Sequence, residues 1–331
     1  MKNNFLGTTF CENYCNFLKL DAKDVLDKII TLHINPVRIG VYWDEVEYEP
    51  EFRYQSNKNN FDFKHFDWII EKLDKNNIDI ILAVGAKVPR WPEFHLPDFI
   101  QEKYDFKKGE AINNPFLLAE TKRYIGETIK RYKNIKSIKW IQVENEPYEP
   151  FGPNKWIIHP EFLAQEIHYV KSLCKLPIIL TGGGMDPIPP WIGNIYGKFE
   201  RTYKLLEQDS DIIGLDVYPV IPHEFLWKMR YFRANEANWK NLEKIKHEIE
   251  AHNKRVWITE LQAEPWEAGK MNTKSANANE SCNPNLVCAY LKKSQEIGFE
   301  KILLWGSEFW LACEKDRNTA WVNNLKGFFL R

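Results

Sequence analysis

The chain has 331 residues, 44% of them hydrophobic and 27% charged, the balance of a folded globular protein with room for one large α/β domain or two ordinary ones. Its 45 basic and 46 acidic side chains are interspersed and leave a formal net charge of −1, so no basic block or acidic tail points to nucleic acid or to a charged membrane as partner. Met1-Lys2-Asn3-Asn4 runs straight into a strand-like segment, with no secretory apolar region and no span near about 20 apolar residues, so the expectation is a cytoplasmic protein.

In chain order, short apolar runs predict strands at 5–10, 37–42, 78–84, 138–143, 177–181, 212–217, 255–259 and 301–306. Helical spacing separates them. Phe63, Phe66, Ile69, Ile70 and Leu73 share one face, as do Phe162, Leu163, Ile167, Val170 and Leu173, and as do Leu242, Ile245 and Ile249. Eight strands alternating with helices at a mean repeat of about 44 residues, with no Pro/Ser-rich linker, predict a single (β/α)8 barrel over 1–331. The rival, a doubly wound open sheet, brings a glycine-rich phosphate loop after its first strand, and Gly7-Thr8-Thr9-Phe10 lacks that pattern. Gly182-Gly183-Gly184 is expected to form a tight βα turn. The longest irregular segments, 43–61, 85–112, 147–159, 218–235 and 261–283, all follow strands, which makes the carboxyl face of the barrel the expected working face.

The cysteines, at 11, 15, 174, 282, 288 and 313, form no CxxC pair and match no zinc spacing, so they are expected to be buried free thiols. The 13 Trp, 14 Tyr and 20 Phe are plentiful; many suit a core, and sugar-binding clefts also use flat apolar faces.

Two β-branched runs end in carboxylates: Trp140-Ile141-Gln142-Val143-Glu144-Asn145-Glu146-Pro147 after the fourth strand and Val256-Trp257-Ile258-Thr259-Glu260 at the seventh. Strands four and seven of a barrel lie across its mouth, so two carboxyls there could flank a glycosidic bond, at the roughly 5–5.5 Å that retaining hydrolysis requires. Glu144 rivals Glu146, because two residues apart on an extended chain they share a face. Pro147 marks the end of the strand and favours Glu146. Glu264, beside Pro265, is a weaker rival to Glu260.

Asn145-Glu146-Pro147 after strand four, with Glu260 ending strand seven, resembles clan A of the glycoside hydrolases, retaining (β/α)8 enzymes that include the family 5 cellulases and the family 42 β-galactosidases. The resemblance runs strand by strand along essentially the whole chain. It implies Glu146 as acid/base, Glu260 as nucleophile and Asn145 as partner of the sugar 2-hydroxyl. It further implies that Arg38, ending strand two, lies beside the nucleophile, where a cation favours the charged carboxylate. Tyr218 would orient the nucleophile, and Trp305 would floor the sugar subsite. Each of these three has a plainer alternative as a strand-end ion pair, a wall aromatic or a core residue. Trp43, Trp91, Trp266 and Trp310, just past strand ends, are candidate sugar platforms, and Lys87, Arg90, Glu93 and His95 are candidate polar contacts on the third loop. Family 5 patterns with His at the end of strand three and His-x-Tyr after strand six are not matched: Ala83-Val84-Gly85-Ala86 and Asp216-Val217-Tyr218 stand there.

These residues predict a retaining glycoside hydrolase acting on an oligosaccharide or other glycoside, without metal or cofactor. A transglycosidase would use the same residues. The alternatives are a non-catalytic carbohydrate-binding barrel and a metal-dependent barrel isomerase or aldolase with Glu144, Glu146, Asp216 and Glu260 as ligands.

Overall fold

A computed structural model describes residues 5–49, 60–104, 106–185, 187, 198–225, 228–267, 271–275 and 277–329. Eight parallel strands form a closed barrel: β1 (Leu6–Phe10), β2 (Val37–Gly40), β3 (Ile80–Val84), β4 (Ile138–Val143), β5 (Ile178–Met185), β6 (Ile212–Val217), β7 (Arg255–Gln262) and β8 (Ile302–Trp305). Their order around the barrel is the order of the chain, β8 closing on β1. All eight fall where the apolar runs predict them. They are buried along almost their whole length, as strands covered on both faces must be, which is why they read as continuous Ile/Leu/Val runs rather than as alternation.

The helices between strands bury the predicted faces. Phe66, Ile69, Ile70 and Leu73 are buried on the helix Lys64–Lys75, and Leu242, Ile245 and Ile249 on Glu236–Ala251. Each such side chain contributes roughly 1.5–3 kcal/mol relative to an exposed position. Side-chain caps start several helices: the Asn114 side chain accepts from the N–H groups of Phe116 and Leu117, and Asn235 and Asn238 form a reciprocal capping box. No helix among the described residues is long and apolar enough to cross a membrane.

Close contacts divide the chain into two compact units. One comprises Met1–Arg38, Gly183–Thr202 and Ile213–Arg331; the other comprises Ile39–Gly182 and Tyr203–Ile212. Within the first, β8 lies between β1 and β7, with Ile302 paired to both Leu6 and Ile258. Within the second, β4 pairs with β3 from Ile138 to Val143, and Ile141 pairs with Ile178.

Four expectations are corrected. The glycine triplet is not a turn: Gly182, Gly183 and Gly184 lie inside β5, and a Cβ on Gly184 would stand 2.7 Å from Leu215 Cβ, so the neighbouring strand requires the missing side chain. The segment 218–235 is not irregular but holds an antiparallel hairpin of Val220–Phe225 with Lys228–Arg233. The loops after β3 and β4 are tied by a short parallel pairing of Ala111–Ile112 with Ile157–Ile158, and Trp43–Val46 forms one helical turn. All six cysteines are free as expected, but Cys174 and Cys288 are only half-buried.

Candidate active site

In the first unit the site is built around Glu260. β7 continues two residues beyond it, to Gln262, so Glu260 does not end its strand. Instead the pairing with β8 shifts there: Ile258 faces Ile302 while Leu261 faces Leu304, leaving one extra residue on β7. Such a bulge re-aims a side chain out of the regular alternation. Glycine makes room beside it, since a Cβ on Gly214 would meet Thr259 Oγ1 at 2.3 Å. Thr259 in turn donates to Asp216 Oδ1 at 2.8 Å.

Both oxygens of Glu260 are held. Arg38 Nη2 donates to Oε1 at 2.6 Å, and the Tyr218 hydroxyl donates to Oε2 at 2.6 Å. Arg38 is itself wholly buried and fixed by a bond from Nε to Thr9 Oγ1 at 2.9 Å, and its guanidinium lies 5.8 Å from the centre of the Trp305 ring. A buried ion pair of this kind is costly to break, about 3–5 kcal/mol when one partner is removed, because the other charge stays behind. Trp266 stacks on Tyr218, centroids 4.6 Å apart and planes 21° from parallel, while keeping 43% of its surface exposed. The unit thus joins Arg38, Tyr218, Glu260, Trp266 and Trp305 in one cluster. Glu264 packs against Gly306, where an added Cβ would stand 2.4 Å from the Glu264 Cβ, and it accepts from the Tyr14 hydroxyl at 2.8 Å.

In the second unit the site is built around the end of β4. The strand stops at Val143, and Glu144 and Glu146 both take left-handed backbone conformations, φ 57° and 41°. Each costs about 1–3 kcal/mol at a non-glycine residue and persists only where its surroundings impose it. The turn at Glu144 removes the shared face that an extended chain would give the two glutamates. The Glu144 carboxylate folds back instead, accepting from the N–H groups of Ala86 at 2.7 Å and Lys87 at 2.6 Å. It lies so close to Gly85 (φ 134°) that a Cβ there would stand 2.5 Å from Oε1. Burial pushes the Glu144 carboxyl up to about 7, against the pull of a hydrogen bond from Glu166 and the two N–H groups. With both oxygens committed to backbone, Glu144 is a structural residue and drops out of the metal-ligand set. Among the described residues, no group of three or more His, Cys, Asp or Glu is arranged to hold a metal.

The main chain of Glu146 is gripped from two sides. Its N–H donates to Thr181 Oγ1 at 2.8 Å, and its carbonyl accepts from Lys87 Nζ at 2.7 Å. Lys87 also donates to the carbonyl of Glu149 at 2.8 Å and is fully buried, so it braces the loop rather than meeting a sugar. Asn145 Oδ1 accepts from Gln142 Nε2 at 3.1 Å and from Thr181 Oγ1 at 3.3 Å.

The tryptophans separate by exposure. Trp43 is not a sugar platform: it is 0% exposed, stacks on Tyr124 at 5.2 Å, and spends its indole N–H on Glu47. Trp310 is likewise buried and donates to the Ala263 carbonyl. Trp91 is 71% exposed. His95 is buried between the Arg90 carbonyl and the Asp44 carboxylate, at 3.2 and 3.4 Å, while Arg90 and Glu93 are half-buried. Thr9, Thr181 and Gln142 were not legible as site residues, being ordinary strand polar groups. Sequence reasoning also missed Glu166, although a signal was there: the spacing of Phe162, Leu163, Ile167 and Val170 puts position 166 on the apolar face, where a carboxyl is out of place.

Residues 19–154 match the family model Glyco_hydro_42, described as beta-galactosidase. A search of curated protein sequences gave no match. Among solved structures, the β-galactosidase of Bacillus circulans sp. alkalophilus is similar at 13% identity and TM-score 0.57, over 91% of this chain and 50% of its own. The endo-1,4-β-mannanase of Rhizomucor miehei is similar at 11% and 0.59, over 91% and 85%, and the β-glycosidase of Pyrococcus horikoshii at 13% and 0.55, over 92% and 84%. The chain spans about half the length of the first two structures it resembles, at 50% and 56% of theirs. The closed barrel is therefore shared with glycosidases along nearly all of this chain, and the stretch that carries Arg38 and Asn145-Glu146-Pro147 is similar to the β-galactosidases of glycoside hydrolase family 42.

Proposed function

We propose that the protein is a retaining β-glycosidase in which Glu260 is the nucleophile and Glu146 the acid/base. The observation that carries this reading is the two-point grip on Glu260 by Arg38 and Tyr218. A buried guanidinium on one oxygen and a hydroxyl on the other fix the position and orientation of the carboxylate, as an attacking group requires. Glu146 follows a barrel strand, where such folds build their active sites, and it stands within the stretch matched by the β-galactosidase family model.

In the first step a Glu260 oxygen bonds to C1 of the sugar as the C1–O bond breaks, and Glu146 gives its proton to the leaving oxygen. In the second, Glu146 takes a proton from water, whose oxygen displaces Glu260 from C1 and restores both residues. An acceptor sugar in place of water would make the reaction a transglycosylation. Asn145 Oδ1 is occupied by two donors, so its amide N–H groups are the ones available to a sugar 2-hydroxyl. Trp266 and Trp305 are the aromatic faces of the Glu260 cluster and Trp266 is the one with open surface.

β-Galactosides are the first substrates to try, since the matching family model carries that description. Incubation with 2-deoxy-2-fluoro aryl glycosides, followed by peptide mapping, tests the assignment. Labelling of Glu260 supports it; labelling at any other carboxylate overturns it.

A further inference from the structure

The helix Pro160–Leu173 buries Phe162, Leu163, Ile167 and Val170, and among them a carboxyl, Glu166, with no exposed surface. That carboxyl is in hydrogen-bond contact with Glu144. No other donor reaches either Glu166 oxygen among the described residues. Glu144 already accepts from Ala86 and Lys87, one N–H on each oxygen, which favours its charged form. Two bare carboxylates would repel in a buried site, so the contact requires one proton, and the amide donors on Glu144 assign it to Glu166.

The pair stands behind a strained turn. Glu144 and Glu146 are both left-handed. Segment 85–87 and segment 144–149 are laced together by Glu144 to the Ala86 and Lys87 amides, Asn145 N–H to the Lys87 carbonyl, and Lys87 Nζ to the carbonyls of Glu146 and Glu149. If Glu144 leaves its place, Ala86 and Lys87 lose their acceptor and the lacing opens from that end.

We propose that Glu166 is a positioning residue, whose protonated carboxyl donates to Glu144 and so locks segments 85–87 and 144–149 in the geometry that presents Glu146. This rests on the reading of Glu146 as acid/base. The charged and titratable groups facing the pair are Lys87, Lys122 and the Tyr124 hydroxyl, the last two from the helix Pro115–Tyr132. Burial raises Glu166 well above the ordinary carboxylate range, Glu144 raises it further, and only Lys122 opposes. The proton therefore stays at neutral pH, and the lock loosens when alkali removes it.

The test compares the full-length wild type with Glu166→Gln, which keeps a donor, and Glu166→Leu, which keeps volume but not the donor. Amide hydrogen exchange reads the lock directly, and the ratio of turnover on a poor-leaving-group glycoside to that on an activated aryl glycoside reads its effect on Glu146. In Glu166→Leu, exchange at Ala86 and Lys87 should rise about tenfold or more and the turnover ratio should fall about tenfold. Glu166→Gln should bring both within about threefold of wild type. Wild-type exchange at these amides, corrected for its intrinsic pH dependence, should step up in alkali and Glu166→Gln should show no step. If exchange is unchanged in Glu166→Leu, or if Glu166→Gln fails alongside it, the lock is overturned. If exchange responds and the turnover ratio does not, the lock stands and the acid/base role of Glu146 falls. Should Glu166→Leu not fold, the alkaline step and its loss in Glu166→Gln decide the matter.

Discussion

The anchors described for Glu260 and Glu146 fall on different parts of the two residues. Around Glu260 the protein grips the side chain, one donor to each oxygen, and leaves the backbone to a β-bulge. Around Glu146 it grips the backbone, through Thr181 on the N–H and Lys87 on the carbonyl, and holds that backbone in a conformation a free chain avoids. The difference fits the two proposed roles. A nucleophile must keep one aim, which fixed donors on its oxygens supply. An acid/base must gain and lose a proton in every cycle, and anchoring its main chain fixes where its side chain starts.

The comparison can be broken most decisively at the nucleophile. Glu260→Ala should lower turnover by on the order of 10⁴-fold or more in steady-state kinetics. The variant should fold but melt at a lower temperature, because Arg38 is left buried without its partner. Glu146→Ala should lose on the order of 10²–10⁴-fold on glycosides with poor leaving groups and far less on activated aryl glycosides. Equal losses on both substrates would remove the distinction drawn above. Tyr218→Phe deletes one of the two grips on Glu260 and should cost about tenfold or more in kcat/KM, in line with the roughly 1.5–3 kcal/mol of a hydrogen bond to a charged group. An unchanged value would show that Arg38 alone sets the aim.

The remaining two tests read stability. Lys87→Met keeps the buried stem but leaves the carbonyls of Glu146 and Glu149 without their donor, at roughly 1–3 kcal/mol for each in urea unfolding. The pH dependence of that stability should carry the sign of a raised carboxyl. Unfolded Glu166 releases its proton near the ordinary value of 4.5, whereas the folded protein keeps it to well above that. Its contribution is whole below 4.5 and is lost as pH rises toward the folded value, by about 1.4 kcal/mol per pH unit for one proton. Glu166→Gln should flatten this slope. A slope unchanged from wild type would place the proton elsewhere.

The barrel was legible because buried parallel strands must be nearly continuous in apolar residues, and eight such runs stand apart in this sequence. The hairpin at 220–233 was hidden by Pro222, which reads as a breaker but is accommodated in a two-stranded pairing opposite Tyr231. In the candidate site, motifs read as strand ends named Glu146, Glu260, Arg38 and Tyr218 as candidates, although Glu260 lies two residues inside the end of β7 and Arg38 is the second residue of β2 rather than its last. What a sequence does not carry is which way a loop folds back. Trp43 and Trp266 both sit just past strands, yet one is wholly buried against Tyr124 and the other lies half open on Tyr218. Glu144 and Glu146 could not be told apart by alternation, since the left-handed turn that separates them leaves no mark in residue type. Lys87 looked like a loop cation and is a buried brace.

The bulge on β7 bears on how this barrel tolerates change. Ile258 and Leu261 both line up with residues on one side of β8, although an uninterrupted strand would set them on opposite sides. The extra residue works as a frame shift within the strand: the apolar stations on either side stay in phase with β8, while Glu260 leaves the alternation between them. The wall can therefore exchange one apolar residue for another without disturbing the carboxylate. Deleting a single residue between Ile258 and Leu261 would put the strand back into regular count, and the wall would be completed at the expense of the group it carries.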